Sequence, residues 1–103
     1  MIEIIVRETA NEYCIELSGH ANYSSGADIV CAGVSAIVYA YIGYIRNSKI
    51  AVNELQISSG KVVCKVNKDG AREAFEMAAI GLMQIEKQYP KNVQIKKYYK
   101  PKK

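Results

Sequence analysis

The sequence predicts an α+β domain in which two helices lie on a mostly antiparallel sheet, in the chain order ββαββαβ. Three observations predict it. Two regions, residues 1–18 and 52–66, alternate apolar with polar residues and are interrupted by short polar connections, the pattern of half-buried strands in hairpins. Each region is followed by a helical segment, the first uncharged over residues 29–45 and the second with apolar residues at helical spacing over 71–89. A chain of 103 residues, half of them hydrophobic, is long enough for one core, and no linker or repeat divides it, so residues 1–103 read as a single domain.

In the first strand Ile2, Ile4 and Val6 share a face, and residues 9–12 form the turn after it. Tyr13, Ile15 and Leu17 repeat the pattern, and the short connection makes the two strands an antiparallel hairpin. His20 follows the second strand directly, and residues 21–27, rich in small and polar types, read as a loop. Asp28 is a good N-cap type, which starts the first helix at Ile29. That helix has no charged residue up to Ile45, a run of 17 residues at the lower limit for spanning a bilayer. Gly33, Ser35, Gly43 and three tyrosines inside it, weak flanks and the surrounding sheet argue instead for a helix buried on more than one side and for no membrane partner.

Residues 52–57 are the third strand, and Ser58-Ser59-Gly60 the turn. In the fourth, Val62, Cys64 and Val66 face one way and Lys61 and Lys65 the other. Asp69 offers a second N-cap, and Ala71, Ala74, Phe75, Ala78, Leu82, Ile85 and Tyr89 make the apolar stripe of the second helix, which Pro90 stops. Val93 and Ile95 begin a short last strand.

The net charge of +4 belongs to the end of the chain: from Lys91 onward there are six lysines and no acid, leaving 8 basic against 10 acidic groups before it. The basic tail, residues 96–103, has lysines for phosphates and tyrosines for base stacking, so it could meet nucleic acid; a solvated, frayed terminus is the plainer reading. The amino terminus does not resemble a signal peptide, and three cysteines without C-x-x-C spacing argue for free thiols, so a cytoplasmic location is expected.

Free thiols direct attention to Cys31, which shares a short segment with His20, the only histidine. A thiol and an imidazole are the minimum pair for nucleophilic catalysis by cysteine, because the base removes the thiol proton and later gives one to the leaving group. With Asp28 as cap, Cys31 falls in the first turn of the helix, where the dipole and unpaired N–H groups favour a thiolate and could bind an oxyanion. Cys14, on the outer face of its strand, and Cys64, in an apolar stripe, lack that setting. His20 and Cys31 offer too few further ligands for a metal, and no cofactor is implied. Ser35, one turn after Cys31, lies on the same helix face, either hydrogen-bonding near the thiol or serving close packing.

The segments Gly19-His20-Ala21, Asp28-Ile29-Val30-Cys31-Ala32 and Val34-Ser35-Ala36 resemble the pattern of the ribosomal-processing cysteine protease family, Prp, with Gly33 where alanine is common. Length and element order agree over essentially the whole chain. The resemblance implies a cysteine protease with Cys31 as nucleophile and His20 as general base and acid. Gly19, Asp28 and Ser35 become supporting residues, Asp28 capping and placing the helix and Ser35 orienting or packing. Ala21, Asn22, Tyr23, Ser24, Ser25, Gly26 and Ala27 become a mobile cover over the site. It further implies a substrate, a large-subunit ribosomal protein precursor whose amino-terminal extension is removed during ribosome maturation, and a homodimer. Two other readings stay open at this level: a non-catalytic ribosome- or RNA-associated module using the basic tail, and a thiol redox sensor at Cys31.

Overall fold

A computed structural model of the protein describes residues 1–19 and 25–98, with side-chain placement described for all of these but 25–28 and 98. The elements are β1 (Ile2–Glu8), β2 (Glu12–Ser18), α1 (Ser25–Asn47), β3 (Val52–Ser58), β4 (Lys61–Asn67), α2 (Arg72–Gln88) and β5 (Val93–Tyr98). They form one five-stranded sheet in the order β3-β4-β2-β1-β5, antiparallel throughout except for the parallel pair β1–β5. This is the expected α+β fold. Each helix connects two strands of the same direction, β2 to β3 and β4 to β5, so both helices are crossovers on the sheet.

Period-two patterning decides which face the helices cover. The apolar rows Ile2, Ile4 and Val6, Tyr13, Ile15 and Leu17, and Val62, Cys64 and Val66 form one continuous core with Val93, and onto it pack Val30, Val34, Val38, Ile42 and Ile45 of α1 and Phe75, Ala79 and Leu82 of α2. Phe75 is stacked on Tyr13 at 4.2 Å and meets Tyr41 edge-on at 6.5 Å. By composition α1 is apolar enough to cross a membrane over Ile29–Asn47, with mean hydropathy 1.6. It uses that character to pack one stripe into the sheet and another, with Gly33 and Ile37, against α2, while Ile29, Tyr39 and Tyr44 are exposed.

Both expected helix caps are corrected. The first helix starts at Ser25, so Asp28 is its fourth residue and not its cap, and residues 25–27 belong to the helix and not to a loop. Ser25 and Asp28 are both residue types that begin helices, and Gly26 and Ala27 between them do not stop one, so the local signal permits the earlier start. At α2 the cap position is held by Ala71 without a side-chain hydrogen bond. Asp69 is spent in the preceding turn, where its N–H donates to Asn67 Oδ1 at 2.9 Å. A third correction concerns the tail: Lys96, Lys97 and Tyr98 are not frayed but pair with β1 as the end of β5, and residues 99–103 lie outside the described residues.

Candidate active site

One end of the sheet collects the elements that matter. There β1 begins, β2 ends, β4 begins and β3 ends, because the register pairs Glu3 with Ser18 and Ser18 with Lys61 in turn, and Ser58 with Lys61. A cleft of about 290 Å³ opens at this end between the sheet and α1. Its walls are Ile2, Leu17, Val34 and Val62, its rim carries Tyr39 and the turn Ser58-Ser59-Gly60-Lys61, and Cys31 and Ser35 project from α1. The apolar walls continue the core, while Lys61 is the one charged side chain lining the cleft among the described residues.

The three thiols are not equivalent. Cys14 and Cys64 are buried, and Cys31 alone is half-exposed; none is in a disulfide. Burial, as the largest cause, pushes the Cys14 thiol up and pushes Cys64 up to about 11, so both stay protonated near neutrality and have no path to a reagent. Cys14 does lie on the open face of the sheet, as its alternation predicts, yet it is 2% exposed because its strand neighbours cover it. Cys31 is thus the one of the three thiols with an outlet to a concave surface.

Gly19 is fixed at the mouth of the cleft by two backbone contacts. Its N–H donates to the Gly60 carbonyl at 3.0 Å, tying the end of β2 to the β3–β4 turn. Its φ of +90° lies in the left-handed region, and a Cβ there would stand 2.4 Å from the Met1 carbonyl oxygen, so only glycine fits. The position of Gly19 after β2 is therefore set by Met1 and Gly60.

The structure brings Gly19, Cys31 and Ser35 to one cleft, as the motif and the four-residue spacing suggest. His20 and residues 21–24 lie outside the described residues, as does the side chain of Asp28. The expected first-turn position of Cys31 is corrected: with α1 starting at Ser25, Cys31 is its seventh residue. The unpaired N–H groups belong to the first four residues and the dipole effect fades within the first turn, so Cys31 does not hold the helix-start oxyanion site that Asp28 as cap would have provided. Sequence reasoning also missed Ile2, Tyr39, Val62 and the Ser58–Lys61 turn as cleft residues. Tyr39 carried a usable signal, eight residues beyond Cys31 and so within reach of the same side of the helix; the others join the site through strand order alone. Among the described residues no three metal-ligating side chains converge.

An α+β domain that opens a single partly exposed thiol into a concave site has the form of a cysteine-dependent enzyme. The family described as cysteine protease Prp matches residues 1–94, and the chain belongs to that family. The ribosomal processing cysteine protease Prp of Mycoplasma pneumoniae is 35% identical over 51 residues, 48% of this chain and 51% of the relative, so the match spans about half the length of that curated protein. Among solved structures, the essential ribosomal processing protease Prp from S. aureus in complex with a substrate peptide aligns with a TM-score of 0.81 at 21% identity, covering 94% of this chain and 99% of that one. The same S. aureus protease with a covalently linked product peptide gives 0.80 at 23% identity, with 94% and 99% covered. A protein from Streptococcus mutans gives 0.79 at 23% identity, covering 97% and 99%. At these identities the structural likeness speaks for the fold, and the family match for the class.

Proposed function

We propose that the protein is a cysteine endopeptidase that removes the amino-terminal extension of a large-subunit ribosomal protein precursor, with Cys31 as nucleophile and His20 as general base and acid. The observation that carries this reading is the family match over residues 1–94 together with Cys31 as the one thiol open to a cleft. The names of the Mycoplasma pneumoniae and S. aureus relatives, both ribosomal processing proteases, support the substrate class.

The chemistry is acyl transfer. His20 takes the thiol proton, and the Cys31 sulfur attacks the scissile carbonyl to form a C–S bond. As the C–N bond breaks, the imidazolium gives its proton to the leaving amine, and water deprotonated by His20 then hydrolyses the thioester to release the acid and restore the thiol. A dyad is enough, because a thiolate needs less activation than an alkoxide. Ser35, one turn from Cys31 on the cleft wall, orients or packs beside the sulfur.

Two partner and location readings accompany this one. A homodimer is supported by the apolar residues left uncovered on the helices, Ile29 and Tyr44 of α1 and Met77 of α2, which are 65%, 54% and 74% exposed. A cytoplasmic location is supported by three cysteines that are all free.

The test is incubation with the host's own ribosomal precursor. The parent should shorten it at one bond, while Cys31→Ala and His20→Ala should both leave it intact at equal protein concentration. Full-rate cleavage by Cys31→Ala would overturn the assignment. Sedimentation at micromolar concentration reads the oligomeric state, and a monomer would refute the dimer.

A further inference from the structure

The two edges of the sheet are treated differently. At β5 the outer edge is guarded: Glu86 of α2 accepts the Ile95 N–H at 2.8 Å, and Lys96 and Lys97 stand on the strand. At β3 no described residue pairs with the outer edge, and the strand carries neither lysine nor proline, the usual protections. Its one charge, Glu54, is drawn to Lys65 at 3.3 Å on the open face of the sheet. The irregularity between Val52 and Glu54 and the hydrogen bond from Asn53 Nδ2 to Glu12 Oε2 at 2.9 Å tie down the far end, leaving residues 54–58 as an extended run. That run ends at Ser58 and Ser59 on the rim of the cleft that holds Cys31.

Resting on the proteolytic reading above, we propose that the substrate polypeptide binds as a sixth strand along the free edge of β3 and passes from it into the Cys31 cleft. Main-chain groups of residues 54–58 would supply affinity, as in other strand-addition complexes. Selectivity follows from the pleat: Leu55 and Ile57 lie on the helix-covered face and Glu54, Gln56 and Ser58 on the open one. Ile57 is 49% exposed beside cleft residue Val62, its partner across the ladder. The partner that fits is an extended segment with apolar side chains at every second position, set beside Leu55 and Ile57.

The experiment uses the full chain and a synthetic peptide spanning the extension junction of the host's ribosomal precursor. Each backbone amide other than the scissile one and its neighbours is N-methylated in turn. Methylation at amides directed toward β3 should raise KM about fivefold or more, the worth of one hydrogen bond, and at the alternate amides should leave it unchanged. Ile57→Lys, a change at a half-exposed edge position, should raise KM for the unmodified peptide with kcat and the rate of Cys31 alkylation by iodoacetamide unchanged. A scan without the two-residue period, or an unaltered KM in Ile57→Lys, overturns the strand pairing while leaving the protease reading intact. If the parent enzyme fails to cut the unmodified peptide, the proteolytic reading falls and the pairing falls with it.

Discussion

Replacing Gly19 and replacing Gly43 by alanine add the same methyl group and are expected to change stability in opposite directions. At Gly19 φ is +90°, a conformation that costs an L side chain about 1–2 kcal/mol. The new Cβ would also stand 2.4 Å from the Met1 carbonyl oxygen, so one backbone must move. Both are held, Gly19 by its N–H to Gly60 O at 3.0 Å and the start of β1 by the Ile2 N–H to Asn92 O at 2.8 Å. Loosening one such hydrogen bond costs about 1 kcal/mol, for a total loss of roughly 2–3 kcal/mol. Inside α1, by contrast, a Cβ on Gly43 meets nothing within 4 Å. There alanine relieves the entropic cost of a helical glycine and should stabilise by about 0.5–1 kcal/mol. Domains of this size are stable by about 5–15 kcal/mol, so equilibrium unfolding in urea resolves both shifts. Because Gly19 also borders the Cys31 cleft, Gly19→Ala should lower the turnover of the protein that remains folded as well as its stability, a displacement of about 1 Å in an active site being worth about a hundredfold. An unfolding midpoint for Gly19→Ala equal to that of the parent would refute the close approach of Met1, and a destabilised Gly43→Ala would refute the open space around that position.

Alkaline pH should weaken the fold. The folded state holds Cys64 protonated up to about 11 against an ordinary 9.0, and burial raises Cys14, Tyr13 and Tyr41 in the same sense. The unfolded chain therefore releases protons that the native one keeps, so the contribution of Cys64 is full below about pH 9 and is lost toward pH 11, with a slope approaching about 1.4 kcal/mol per pH unit in that window, and the other three groups add to the loss in the same direction. Cys64→Val should flatten the slope, and a parent stability that stays level across that window would contradict the burial. Phe75→Ala removes a ring with no exposed surface, stacked on Tyr13, and should cost about 3–5 kcal/mol in denaturant unfolding; a loss under about 1 kcal/mol would mean that the two helices do not close on that ring.

Element order and strand faces were legible because each rests on local periodicity. Ile2, Ile4 and Val6 need no knowledge of their neighbours to declare a face, and the stripe through Ala71, Phe75, Ala78 and Leu82 declares a helix. The family was legible because its residues, Gly19-His20-Ala21 and Asp28 to Ala36, stand in one short motif. Helix starts were not. Asp28 and Asp69 are both competent to cap, yet α1 begins three residues before Asp28, and before α2 the cap position falls to Ala71 while the Asp69 N–H is taken by Asn67.

Thus the order ββαββαβ, the core stripes and the chemically distinct segment from Gly19 to Ser35 follow from the order of residues alone, since spacing along the chain sets which side chains share a face. Tertiary structure alone decided the rest. It set β5 beside β1 in parallel, left β3 at an open edge, and brought Ile2 and the Ser58–Lys61 turn to the cysteine across stretches of sequence that carry no mark of one another. It also made Cys31 the open thiol of three, because exposure depends on what the sheet and helices cover and not on the residue type.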